Sequence, residues 1–209
     1  MYEKAKKHFK TADPRLYAAA IEIDLKEVVP STRLFRDIVW TITGQQLSAR
    51  AADTIFARFE QLMRGNEMTP QRILRLSDER MRACGLSGAK MRAIREFART
   101  VEAGKLDLAG LPALPDAEVV SALTRVKGIG PWTAEMVLMF SLGRPDVFSR
   151  GDLGLRKGIN ELYGLKKMPS ERRLATIVAS WSPYRTYAAR VLWKLSDRKT
   201  ARIGRKRPR

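Results

Sequence analysis

The stretch Val126-Lys127-Gly128-Ile129-Gly130-Pro131 reads as a turn that brings main chain close to another molecule. Two glycines around one aliphatic residue permit a tight hairpin between two helices, with Ile129 plugging the core and the second helix presenting its N–H groups outward. Such a turn holds a phosphate through backbone N–H groups and the positive end of the helix dipole. No side chain reads a base there, so the contact positions a nucleic acid without selecting its sequence. Lys127 and Thr133 border the same turn. Alone, the pattern also describes an ordinary helix-helix connection.

Further along, Gly151-Asp152 precedes Leu153, Leu155 and Ile159, which places Asp152 at the start of a helix. Aspartate is a common N-cap, and the helix dipole favours its anionic form. Gln45-Gln46 and Ser48 lie between two apolar stripes, one through Leu34, Ile38 and Ile42, the other through Ala52, Ile55, Phe56 and Phe59. Trp40, Trp132 and Trp193 are spread along the chain, and core packing is the default reading of an isolated tryptophan.

The charge agrees with a polyanionic partner. Lys plus Arg number 40 against 22 for Asp plus Glu, a net +18. Residues 198–209 carry seven of the basic residues and no acidic one, leaving +11 on the rest, and read as a disordered tail: a phosphate tether or a solvated solubility segment. Cys84 is the only cysteine and His8 the only histidine, which excludes a disulfide framework, a four-cysteine iron-sulfur cluster and a Cys/His metal site. No catalytic metal is expected. Apolar runs such as 136–140 are too short to span a bilayer and the N-terminus lacks a signal peptide's apolar stretch, so the expected location is cytoplasm or nucleoid, or the nucleus in a eukaryote.

Nearly every segment carries helical periodicity and none a sustained alternation, so the fold is all-α. Ser77 and Ser87 read as N-caps, Gly85 and Gly104 as helix stops, and Asp116 as the cap of a helix running to about residue 125. Helices are predicted near 131–142, 152–162, 171–180 and 183–196, the last capped by Ser182 with Pro183 at its first position.

Four separated motifs together resemble the helix-hairpin-helix DNA glycosylase superfamily, in its AlkA-type 3-methyladenine DNA glycosylase branch, over most of residues 30–196. They are Gly44-Gln45-Gln46-Leu47-Ser48 with Ala51-Ala52; Cys84-Gly85-Leu86-Ser87 with Lys90; the hairpin with Asp146-Val147-Phe148 and Gly151-Asp152-Leu153-Gly154-Leu155-Arg156; and Trp181-Ser182-Pro183-Tyr184-Arg185 running to Trp193. The resemblance implies a two-lobed helical fold with the active-site cleft between the lobes. Residues 33–142 form a central domain with the hairpin, and 1–32 plus 143–197 a second; the N-terminal β domain of longer relatives is lacking.

The resemblance also assigns roles. Asp152 matches the catalytic aspartate, which stabilises positive charge on the sugar as the N-glycosidic bond breaks. Trp132 stands where members that cleave the backbone carry a Schiff-base lysine, which implies a glycosylase without lyase activity that leaves an abasic site. Trp132 and Trp193 match base-pocket positions, Trp40 more loosely, and would stack on cationic bases such as 3-methyladenine and 7-methylguanine. Tyr184, Tyr187 and Trp181 read as core. Gln46 matches the side chain that fills the gap left by a flipped base, and equally reads as a turn residue; Ser48 contacts the minor groove or caps its own helix. Lys127, Gly128, Ile129, Gly130 and Thr133 form the phosphate contact, with no cofactor beyond a monovalent cation bridging hairpin and DNA. The implied partner is double-stranded DNA with a damaged base, bound by a monomer without membrane association. Met136 and Leu153 depart from the family pattern, which leaves uracil, hypoxanthine or another lesion open as substrate and a non-catalytic DNA-binding protein as the rival reading.

Overall fold

Asp13-Pro14 ends one helix and starts the next, and its carboxylate organises half of the protein. In the computed structural model, which describes the backbone of residues 1–205 and the side chains of residues 1–196, α1 spans Tyr2–Ala12 and α2 Pro14–Ile21. Asp13 Oδ1 accepts from Leu16 N at 3.0 Å as the N-cap of α2, and Oδ2 accepts from Trp181 Nε1 at 2.7 Å and from the Tyr163 hydroxyl. A buried carboxylate with three donors satisfies each of them at once.

The chain forms two compact units, one of residues 1–28 with 144–209 and one of residues 29–143. The first contains α1, α2, α10 (Leu153–Tyr163), α11 (Glu171–Ala179) and α12 (Arg185–Arg205). Phe9, Leu16, Ile159, Leu174, Trp181 and Leu192 are fully buried in it. The second contains α3 (Leu34–Gly44), α4 (Ala49–Gln61), α5 (Pro70–Leu74), α6 (Asp78–Ala83), α7 (Gly88–Glu102), α8 (Asp116–Thr124) and α9 (Pro131–Met136). Its α3 packs against α4, α7 and α9, around Ile38, Ile42, Phe59, Ile94, Phe97 and Leu123. Among the described residues there is no β-strand, and no helix is long and apolar enough to cross a membrane.

Local rules place most helix ends. Ser48, Ser77 and Ser87 each accept the N–H three residues on, and Gly85 and Gly104 adopt φ of +100° and +67° just past their helices. Four expectations need correction. Asp116 is the first residue of α8 and makes no side-chain cap, because Pro115 holds the cap position. Ser182 does not cap α12: its hydroxyl donates to Asp146 at 2.8 Å, and the helix begins at Arg185. The helix expected over 131–142 is α-helical only to Met136 and continues as a π turn, Val137–Ser141. The backbone of α12 continues past 196 to Arg205, while the side chains of the basic tail and its last four residues lie outside the described residues.

Removing the Asp13 carboxylate takes away a helix cap and leaves a buried indole N–H without its acceptor. Asp13→Ala should lower stability by about 2–4 kcal/mol, read from the midpoint of denaturant unfolding, with Asp13→Asn recovering part of the loss. An Ala variant that unfolds at the parent's midpoint would show that the network contributes nothing.

Candidate functional site

The hairpin is shaped by α7. Gly128 has φ +98°, and a Cβ there would lie 2.4 Å from Ala93 Cβ and 3.0 Å from Ala93 Cα, so only glycine fits. Ile129 is 4% exposed, the core plug that its type suggests. Gly130 differs: its φ of −97° suits any residue, and a Cβ would have nothing within 4 Å. Nothing inside the protein requires glycine there, and the position borders open space where α9 begins with Pro131. Lys127 and Gly128 are exposed, whereas Thr133 is buried.

The hairpin is latched to the loop after α3 by Gln45. Its Nε2 donates to Gly128 O and to Thr133 Oγ1, each at 3.0 Å. The next residue, Gln46, is exposed with φ +58°, a left-handed conformation that a non-glycine residue adopts at some cost. The two glutamines therefore have opposite jobs: one fastens the loop inward and the other is turned out. Leu47 beside it is 39% exposed. Ser48 Oγ accepts from Ala51 N and caps α4. Lys90 Nζ donates to Thr43 O at 2.7 Å, placing a positive charge at the C-terminal end of α3 just before this loop.

Asp152 belongs to the other unit and sits, as its position suggests, at the N-cap of α10. Its Oδ1 accepts from Leu155 N at 2.8 Å and from Trp193 Nε1 at 3.3 Å. Glycines make this meeting possible. On α10 a Cβ at Gly154 would lie 3.0 Å from Asp152 Oδ1 and 3.4 Å from the Trp193 ring, and one at Gly158 would lie 3.0 Å from Leu192 Cβ. Spaced four residues apart, the two glycines share one helix face and let α12 lie close enough for its indole to reach the carboxylate. The loop leading to Asp152 is anchored to α12. Asp146 accepts from Arg185 Nε at 2.7 Å and Nη2 at 2.9 Å, and Thr186 Oγ1 accepts from Val147 N at 3.0 Å. Burial pushes the Asp146 carboxyl upward, but the bonds from Arg185 and Ser182 outweigh it and hold the group below its ordinary value.

Among the expected site residues, Asp152 and Trp193 thus meet in one unit. The hairpin, Trp132, Gln46 and Ser48 lie in the other. Trp132 is half-buried at the start of α9, with Met136 buried one turn on. Trp40 lies in a groove of about 290 Å³ between α3 and α4, its indole N–H donating to Asp53 at 3.2 Å, and the lining does not include Trp132. A larger cavity of about 960 Å³ in the same unit is lined by none of the singled-out residues. Trp181 and Tyr187 are core, at 0% and 4% exposure, and Tyr184 is half-buried. Gln45, Gly154 and Gly158 were not singled out for these roles. A glycine pair four apart on a predicted helix was the visible signal for the last two; the latch left none.

A profile of the HhH-GPD superfamily of base excision DNA repair proteins matches residues 39–183, from α3 through the hairpin and Asp152 to the start of the Asp146-anchored turn. The chain belongs to the HhH-GPD superfamily. It is 35% identical to DNA-3-methyladenine glycosylase 1 of Schizosaccharomyces pombe over 164 residues, covering 78% of this chain and 72% of that protein. Among solved structures, the S. pombe 3-methyladenine DNA glycosylase in complex with abasic DNA superposes with a TM-score of 0.81 at 32% identity, covering 93% of this chain and 97% of that one. The DNA-3-methyladenine glycosidase of Bacillus halodurans does so with a TM-score of 0.75 at 38% identity, covering 93% and 91%.

The unequal demands on the two hairpin glycines of this HhH-GPD protein separate folding from binding. Gly128→Ala should cost about 1–3 kcal/mol of stability, since it meets α7 and an unfavourable φ together. Gly130→Val should unfold at the parent's midpoint yet bind undamaged duplex at least about tenfold more weakly, through the loss of close backbone approach. Parental affinity in a folded Gly130→Val protein would reduce the hairpin to a turn.

Proposed function

We propose that this chain is a monofunctional DNA glycosylase of base excision repair that hydrolyses the N-glycosidic bond of alkylated purines after flipping the base, leaving an intact abasic site. The observation that carries the reading is the carboxylate of Asp152, held at a helix start where its Oδ1 accepts from a main-chain N–H and the Trp193 indole. Membership of the superfamily and the names of the relatives support it.

The chemistry follows from charge. When the bond between the sugar carbon and the purine nitrogen breaks, its electron pair leaves with the base and positive charge develops on the sugar. A preorganised carboxylate stabilises that charge without reorganising. Water then adds to the sugar carbon and gives up a proton, and in this reading Asp152 orients it. A methylated purine such as 3-methyladenine or 7-methylguanine is already cationic and departs as a neutral base, so it needs no general acid. Its flat cationic face suits an aromatic surface, which Trp132 provides at the mouth of the hairpin helix. A covalent imine with the abasic sugar requires an amine, and Trp132 stands where the lyase members carry that lysine, so the reading includes no strand cleavage.

The partner in this reading is double-stranded DNA containing a damaged base, bound by a monomer in the compartment that holds the DNA. Gln46 is the side chain that fills the vacated space. A monovalent cation at the hairpin would find neutral carbonyl oxygens. Val126 O accepts from Ile129 N, and Gly128 O from Gln45, each retaining a second lone pair.

Two measurements test the assignment. Alkylated genomic DNA incubated with the protein should yield free 3-methyladenine and 7-methylguanine by chromatography, and Asp152→Asn should reduce the rate at least about a hundredfold with duplex binding retained. No adduct should be trapped by borohydride. Comparable release by the Asn variant would leave Asp152 as a helix cap only.

Trp193→Phe keeps an aromatic ring but removes the donor to Asp152. Release should fall by about tenfold or more for cationic and neutral lesions alike, because the N–H positions the carboxylate. Trp132→Ala should instead depress cationic bases more than neutral ones. A loss on Trp193→Phe confined to cationic bases would assign Trp193 to stacking.

A further inference from the structure

The hairpin is not the only surface of its unit that lacks counter-charge. Between the end of α4, α5 and the start of α6 lies a groove of about 380 Å³ lined by Arg72, Arg75 and Arg80 with Thr69 and Gln71, and by no acidic residue. All three arginines are exposed, and no ion pair to a described residue engages their guanidinium groups. None of the carboxylates of the same stretch lines the groove, and Glu67 lines the larger cavity beside Gly65 and Asn66 instead. Asp53 accepts from Trp40, Glu60 pairs with Arg36, Asp78 pairs with Arg95, and Glu79 bonds to Ser77 and to its own N–H. Three like charges gathered in one groove repel one another, and an external polyanion relieves that repulsion.

The helix α4 runs from the loop that carries Gln46 to the groove, which Leu62 and Met63 line just past its end. From that loop α4 runs with Arg50, Thr54 and Arg58 along one exposed face, spaced four residues apart. At about 1.5 Å per residue, Arg58 lies some 12 Å along the helix from Arg50, the rise of roughly three to four base pairs. Next to α4 lies the end of α6, where a Cβ at Gly85 would meet Ile55 at 3.2 Å. The charges of Arg58 and Arg80 both act on the buried Cys84 thiol, opposing the upward push of burial, so the α4 row adjoins the groove arginines.

We propose that the arginine groove of α5 and α6, joined through Arg58 to the exposed face of α4, is a second phosphate-binding site for duplex DNA, beyond the hairpin. It engages backbone away from the damaged nucleotide and reads no sequence, since guanidinium groups on phosphate fix position only. The occupant is DNA and not an acidic protein because the row begins at the loop proposed to enter the duplex; to that extent the inference rests on the function proposed above.

The test is the salt dependence of binding to an undamaged duplex of about 30 base pairs, for the parent and for Arg72→Gln/Arg75→Gln/Arg80→Gln. Each phosphate neutralised contributes about 0.9 to the slope of log affinity against log salt, so the triple variant should have a slope shallower by roughly two to three and an affinity at least tenfold weaker in about 50 mM salt. The triple Arg→Lys variant keeps the charges and should recover most of the slope. A folded triple Gln variant with the parent's slope and affinity would overturn the proposal. So would parental DNA binding together with lost binding to polyglutamate, which would assign the groove to an acidic protein. If the parent itself bound duplex with no salt dependence, the DNA reading of the whole protein would fail first.

Discussion

On α10, a methyl group added at Gly154 or Gly158 would meet Asp152, Trp193 or Leu192 at 3.0–3.4 Å. That missing volume lets α12 lie against α10 closely enough for an indole N–H to reach a carboxylate, and the unit around Asp152 is arranged to keep the approach. Asp146 bonds to Arg185 and Thr186 to Val147, fixing the start of α12 to the loop that delivers Asp152. At its other side, Asp13 joins the α1–α2 junction to Trp181 and Tyr163. In the proposed reaction a carboxylate gains from being held beforehand, because reorganisation during bond cleavage would forfeit much of its electrostatic effect.

The hairpin unit applies the same device to a different end. Gly128 is bare because α7 lies against it, and Gly130 is bare with nothing of the protein beside it. Gln45 ties this turn to the loop carrying Gln46, so the main chain that would grip phosphate and the side chain that would enter the duplex share one rigid connection. The left-handed backbone of Gln46 lies between Gln45, held by the latch, and Leu47, whose N–H donates to Gly44 O at 3.1 Å, with Ser48 capping α4 just beyond.

Electrostatics divides along similar lines. Where arginines meet carboxylates, as in Arg36 with Glu60 and Arg185 with Asp146, the pairs join elements of the fold. Arg50 and Arg58 of α4 and the groove arginines Arg72, Arg75 and Arg80 are instead exposed, with no ion pair to a described residue. The surplus of positive charge is thus sorted: part is consumed in packing and part is left for a partner.

Features governed by neighbours in the chain were legible in the amino-acid order. The all-helical class, the serine caps, the glycine stops, the buried plug at Ile129 and the helix-starting place of Asp152 depend on contacts within four residues, and residue type determines them. Ser182 shows the limit. Its local signal for a cap was sound, yet Asp146, far away in sequence, claimed the hydroxyl and the helix began later. Gln45 and Gln46 are identical in type and adjacent in the chain, so only packing against the hairpin could separate the latch from the exposed residue. Trp193 matched a stacking position, but its bond to Asp152 exists only because two glycines on another helix bring α12 near. Whether an arginine is paired or bare likewise depends on which carboxylate the fold brings within reach, a distance in space that composition does not contain.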